Sequence, residues 1–195
     1  MIISKQKSRK ILILGAGDGL LTREILKYPN INEITLVELD NNMITLAKQS
    51  PLKEINKKSL FNSKIKIIIA DAFQWIRTNK DHYDAIYIDF PFPYSFDLLR
   101  MYSYEFFLMV YQRVTEKGFV SFDVPYNFNN NTEPSYQYIF NTLNKVGFEN
   151  ILVFRAKLDS FIMTTKTKIN KNLHLNKPTH ASSLDEKYFY NEDNF

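Results

Sequence analysis

The chain contains no cysteine, which excludes disulfides, thiolate metal sites and cysteine nucleophiles. Its three histidines, His82, His174 and His180, are scattered without metal-ligand spacing, so no metal is expected. No apolar run approaches the roughly 20 residues of a membrane span. The opening stretch Met-Ile-Ile-Ser-Lys-Gln-Lys-Ser-Arg-Lys10 is too short and too polar for a signal peptide. A cytoplasmic protein with no membrane partner is expected. Charge of one sign is not concentrated either. The formal net charge is +4, but the lysines spread over 5–10, 53–66 and 166–177 with acids between them. A nucleic-acid groove binder gathers its charge on one stripe with stacking aromatics, so a solvated surface and no nucleic-acid partner are expected.

The 195 residues, 45% hydrophobic and 24% charged, suit one globular domain with or without a tail. Sixteen Phe and twelve Tyr supply a bulky core or a pocket for a flat ligand. Short β-branched runs alternate with stretches of helical period. Strands are expected at 10–14, 33–38, 64–70, 83–88, 118–124, 150–156 and 161–168. Helices are expected at 20–28, 41–49, 73–78, 104–114 and 134–146, the second capped by Asn41 or Asn42 and the last stopped by Gly147. Strict alternation predicts a doubly wound, mostly parallel seven-stranded sheet with helices on both faces. The last two strands have no helix between them and predict an antiparallel C-terminal hairpin. Together these describe a methyltransferase-like Rossmann fold over 1–168. Asn127 to Thr132 reads as a polar loop where a lid could sit, and 169–195 as a polar tail or pocket cover.

The first strand runs into Gly15-Ala16-Gly17-Asp18-Gly19, a loop that presents backbone N–H groups with little side chain in the way. A dinucleotide fingerprint would place its third glycine where Leu20 stands. Asp18 also sets a carboxylate inside the loop, which repels a pyrophosphate and attracts a cationic group. Glu38 ends the second strand about 20 residues on, at the distance from which an acid accepts from both ribose hydroxyls. It could instead cap the next helix, although Asp40 is available for that. Asp71 ends the third strand and is placed to accept from an adenine amino group, to cap the helix that follows, or both. Asp89 ends the fourth strand in the ligand crevice of an open α/β sheet, before the stiff turn Phe90-Pro91-Phe92-Pro93. Catalysis and turn capping are both open to it.

The segments 11–27, Val37-Glu38-Leu39-Asp40, Ala70-Asp71-Ala72-Phe73 and Tyr83 to Asp89 together resemble the spermidine synthases, the polyamine aminopropyltransferases. Ordinary methyltransferases place their acid two positions before the first glycine, where this chain has Ile13. The resembled family places it after the second glycine, as Asp18 stands. The resemblance implies a decarboxylated S-adenosylmethionine donor bound by Gly15, Gly17, Asp18, Gly19, Glu38, Asp71 and Ala72. Glu38 would hold the ribose, Asp71 and Ala72 the adenine, and Asp18 the ammonium of the aminopropyl arm. Asp89 would be the catalytic acid-base residue. Asp18, Asp89, Tyr94 and Asp123 would face a polyamine acceptor such as putrescine, giving spermidine and methylthioadenosine, and a homodimer is the assembly implied.

Three departures stand beside the likeness. Phe92 replaces the second acid of an Asp-x-x-Asp-Pro motif. The family's N-terminal β-hairpin domain is expected to be missing ahead of the first strand. Asp123-Val-Pro-Tyr126 stands where the family more often has glutamine. An S-adenosylmethionine methyltransferase and a catalytically silent nucleoside-binding homologue are the alternative readings.

Overall fold

The computed structural model describes residues 9–91, 96–124, 134–156 and 159–168. Arg9–Gly15 (β1) enters the glycine loop, followed by Leu20–Ile25 (α1), Ile31–Glu38 (β2), Asn41–Ala47 (α2) and the short Leu52–Ile55 (α3). Next come Ile65–Ile69 (β3), Ala72–Thr78 (α4), Tyr83–Asp89 (β4), Phe96–Leu99 (α5), Tyr104–Arg113 (α6) and Val114–Val124 (β5). Pro134–Val146 (α7), Asn150–Ala156 (β6) and Asp159–Thr165 (β7) follow. The seven strands form one sheet in the order β3-β2-β1-β4-β5-β7-β6. Strands β1 to β5 pair in parallel, and β7 pairs antiparallel with both β5 and β6. The expected sheet and terminal hairpin are both present.

Burial on both faces explains the unbroken apolar run of β1. Alternate residues of a strand point to opposite sides, and Ile11 to Leu14 are all buried. Leu12 and Leu14 join a core built from α4, α6 and α7 through Ile76, Phe106, Phe107, Val110 and Leu143. Ile11 and Ile13 join the opposite core with Ile25, Ile44, Ala47 and Leu60. Full burial of a side chain the size of Phe106 contributes about 1.5–3 kcal/mol. The sheet is therefore clamped from both sides, and the C-terminal ends of its parallel strands have a rigid base.

Local chemistry moves several boundaries. The cap of α2 is Asp40, not Asn41 or Asn42: its Oδ1 accepts from the Asn42 N–H at 2.8 Å. Helix α1 stops at Ile25 rather than Tyr28, because Lys27 and Tyr28 turn to the carbonyls three residues back. Strand β5 begins at Val114 rather than Gly118, since Val114 pairs with Tyr83 before a register shift. Helix α3 and the single 3₁₀ turns Ser59–Phe61 and Arg100–Tyr102 are too short to leave a periodic signal. Tyr94, Phe92, the 127–132 loop and residues 169–195 lie outside the described residues.

Candidate functional site

The sheet reverses its winding between β1 and β4, and ligands of open α/β sheets occupy the crevice at such a point. Gly15, the last residue of β1, pairs with Asp89, the last residue of β4. Its φ of 87° is left-handed, and a Cβ there would lie 2.1 Å from the Asp89 carbonyl oxygen. Only glycine lets the two strand ends approach so closely. The loop then curls back, with Gly19 N–H donating to the Ala16 carbonyl at 3.2 Å. Gly17 N–H donates to Glu38 Oε2 at 3.0 Å, and a Cβ on Gly17 would sit 2.7 Å from that oxygen. The glycine loop and the β2 acid are thus locked together.

Three carboxylates meet here. Glu38 spends its other oxygen, Oε1, on the Asp40 N–H at 2.9 Å. Asp18 Oδ1 accepts from the Leu20 N–H at 2.9 Å, which fixes the side chain beside the start of α1. Among the described residues no Lys or Arg forms an ion pair with Asp18, Glu38 or Asp89. Asp89 stands exposed at the end of β4, beside the Gly15 turn. Desolvation there, and then the negative charges of Asp18 and Glu38, push its carboxyl above the usual range. The result is an electronegative cluster beside the glycine loop.

The far wall comes from β5 and the turn that precedes α6. Asp89 and Asp123 each lie one residue beyond the paired Ile88 and Phe122, so the two acids stand side by side at adjacent strand ends. Buried Tyr102 directs its hydroxyl to the carbonyls of Phe90 and Pro91, at 3.4 and 3.5 Å, and so holds the turn after β4. Its phenol is raised by burial first and by Asp123 and Asp89 after that. Tyr102 was not anticipated from sequence, where it reads as one aromatic among many.

Asp71 and Ala72 flank the pocket on the β2–β3 side, tied to it by the Ala70 N–H bond to the Glu38 carbonyl at 3.0 Å. Asp71 Oδ1 caps α4 through the Gln74 N–H at 3.0 Å, so the capping reading is correct. Its Oδ2 pairs with Arg100, whose guanidinium lies 5.6 Å from the Phe73 ring centroid. Behind the glycine loop, Asn56 and Ser59 reach the carbonyls of Asp18 and Gly19 at 2.9 and 2.7 Å. Neither was foreseen, because Asn56-Lys57-Lys58-Ser59 reads locally as a solvated turn. No group of three His, Cys, Asp or Glu able to hold a metal occurs among the described residues. No helix among them is long and apolar enough to cross a membrane.

Sheet order, glycine loop and strand-end acids define a methyltransferase-like Rossmann fold with the candidate site at the winding reversal. Residues 1–171 match the Spermine/spermidine synthase domain, and the chain belongs to that family. It is 40% identical over 116 residues to a polyamine aminopropyltransferase of Leptospira interrogans, covering 59% of this chain and 23% of that one. It is 46% identical over 98 residues to polyamine aminopropyltransferase 1 of Streptomyces coelicolor, covering 50% and 18%. The chain therefore spans only about a fifth of the length of these curated relatives. A crystal structure of spermidine synthase in complex with the transition state analogue AdoDATO is similar at TM-score 0.70 and 25% identity. That match covers 82% of this chain and 55% of the other. Human methyltransferase-like protein 13 in complex with SAH shares the fold at TM-score 0.63 and 19% identity, covering 87% and 76%.

Proposed function

We propose that this chain is an aminopropyltransferase, moving the aminopropyl group of decarboxylated S-adenosylmethionine to an amine such as putrescine. The products are spermidine and methylthioadenosine. One observation carries the reading: Asp18, Glu38 and Asp89 surround a glycine loop with no basic ion-pair partner among the described residues. Such a cradle suits a donor with a free ammonium and no carboxylate, and opposes an anion.

The glycine loop, free of side chains at Gly15, Gly17 and Gly19, receives the donor against its backbone. Glu38 accepts from the ribose hydroxyls; its two oxygens each hold one backbone N–H, and an ionised carboxylate has about four acceptor sites. Asp71 and Ala72 take the adenine edge, and Asp18 takes the ammonium. The acceptor enters beside Asp89, Asp123 and Tyr94. Its neutral nitrogen lone pair forms the new bond to the propyl carbon next to sulfur. The carbon–sulfur pair stays with sulfur, which leaves as a neutral thioether. The nitrogen, now cationic, gives its proton to Asp89, whose raised pKa suits it to a base. No acid is needed for the leaving group, and in-line positioning supplies most of the acceleration.

On this reading 1–168 is the catalytic unit and 169–195 a tail or pocket cover. The protein works in the cytoplasm as a homodimer on small amines, without metal, nucleic acid or membrane. Mass spectrometry of decarboxylated donor incubated with a panel of amines tests it. Equal amounts of methylthioadenosine and aminopropylated amine are expected, and Asp89→Asn should slow turnover at least ~100-fold. Donor binding with no product from any amine would contradict the reading and favour a silent homologue.

A further inference from the structure

The side of the glycine loop away from the crevice is held by a turn from elsewhere in the chain. Asn56 is 1% exposed, and its Nδ2 donates to two carbonyls, Asp18 at 2.9 Å and Ala47 at 2.8 Å. Both amide hydrogens are thereby used, and the loop is tied to the end of α2. Its Oδ1 is buried without a hydrogen-bond partner, so the residue is kept for its donors. Ser59, also buried, donates to the Gly19 carbonyl at 2.7 Å. Between them Lys57 and Lys58 both adopt left-handed φ, 54° and 56°, a conformation that side chains resist. Their strain aims Asn56 and Ser59 at the same loop. The fit has no slack, since a Cβ on Gly19 would lie 2.9 Å from Ser59 Oγ and 3.2 Å from Asn56 Nδ2.

We propose that Asn56 and Ser59 are positioning residues that fix the glycine loop and, through it, the place of the Asp18 carboxylate that recognises the donor's ammonium. The proposal rests on the donor-cradle reading given above. Asp18 is held at two points, its carbonyl by Asn56 and its carboxylate by the Leu20 N–H. Releasing the first lets the charge drift from the aminopropyl arm. The adenosine end depends instead on Glu38 and Asp71, at the ends of β2 and β3; neither bonds to Asn56 or Ser59, and Glu38 meets the loop at Gly17, on the other side of Asp18 from the brace. Loss of the brace should therefore weaken ammonium recognition selectively, and a merely structural role would not.

Calorimetry with decarboxylated S-adenosylmethionine and with methylthioadenosine, which lacks the ammonium, measures that selectivity. Asn56→Ala and Ser59→Ala should each bind the first at least tenfold more weakly and the second within threefold of the unsubstituted chain. Equal losses for the two ligands, or no loss, would overturn the proposal. If Asn56→Ala does not fold, the Ser59→Ala ratio decides by the same criterion. An unsubstituted chain that binds neither ligand removes the cradle reading itself and the brace with it, so the two failures are told apart.

Discussion

Where the parallel strands begin, acids are matched with bases; around the glycine loop, at the ends of β1, β2 and β4, acids gather without a basic ion-pair partner among the described residues. At the first end Arg9 lies 3.6 Å from Asp84, and Lys10 lies 3.1 Å from Asp81 and 3.5 Å from Glu33. At the second, Asp18, Glu38 and Asp89 converge on the glycine loop, and no Lys or Arg among the described residues pairs with them. The carboxyl groups respond in opposite directions. Asp81 is held below the usual range, chiefly by its hydrogen bond from Lys10. Asp89 is pushed above it by desolvation and by its two acidic neighbours. The hydrogen bond from Lys10 lets Asp81 serve the fold, whereas the raised carboxyl of Asp89 costs the fold stability at neutral pH.

The comparison breaks most severely at the hinge of the acidic end. Gly15→Ala drives a methyl into the Asp89 carbonyl at a left-handed φ, so a loss of about 3 kcal/mol is expected by chemical denaturation. A loss under about 1 kcal/mol would mean that β1 and β4 can separate at their ends without consequence.

Asp89→Asn sharpens the contrast from the opposite side. A carboxyl raised in the folded state keeps its proton at pH values where the unfolded chain has lost it. Stability therefore falls as pH rises from the unfolded value, about 3.9, through the folded one. The variant should melt higher than the unsubstituted chain at neutral pH when no ligand is bound, and the gain should vanish in acid. A lower melting temperature at neutral pH would show that Asp89 supports the fold.

The smallest effect belongs to the paired end. Lys10→Met removes the partner of Asp81 and Glu33, both partly exposed, and should cost about 0.5 kcal/mol. Because Asp81 is depressed, its contribution is present above the unfolded pKa and is lost as pH falls through the folded one. The deficit should shrink on acidification, and a deficit that grows would contradict the pairing.

What the sequence disclosed follows the range of the forces involved. Apolar runs and a glycine loop are local patterns, so the seven strands and the assembly of Gly15, Gly17, Asp18, Glu38 and Asp89 at one crevice were readable. Asp123 was named as a candidate from its sequence neighbourhood, and the β4–β5 register sets it next to Asp89. Asn56 and Ser59 were not readable, because their bonds to the loop span 38 and 40 residues. Arg100 reaches Asp71 across 29 residues and left no local mark either. The α2 cap was given to Asn41 or Asn42, with Asp40 also available, because all three are good capping types; only the geometry selects Asp40.

The central claim is that the loop's negative charge selects the ligand, and calorimetric titration of the unsubstituted chain with the two sulfonium donors tests it most directly. Decarboxylated S-adenosylmethionine should bind at least tenfold tighter than S-adenosylmethionine, whose carboxylate meets Asp18. Tighter binding of the carboxylated donor would contradict the account and turn the site toward methyl transfer.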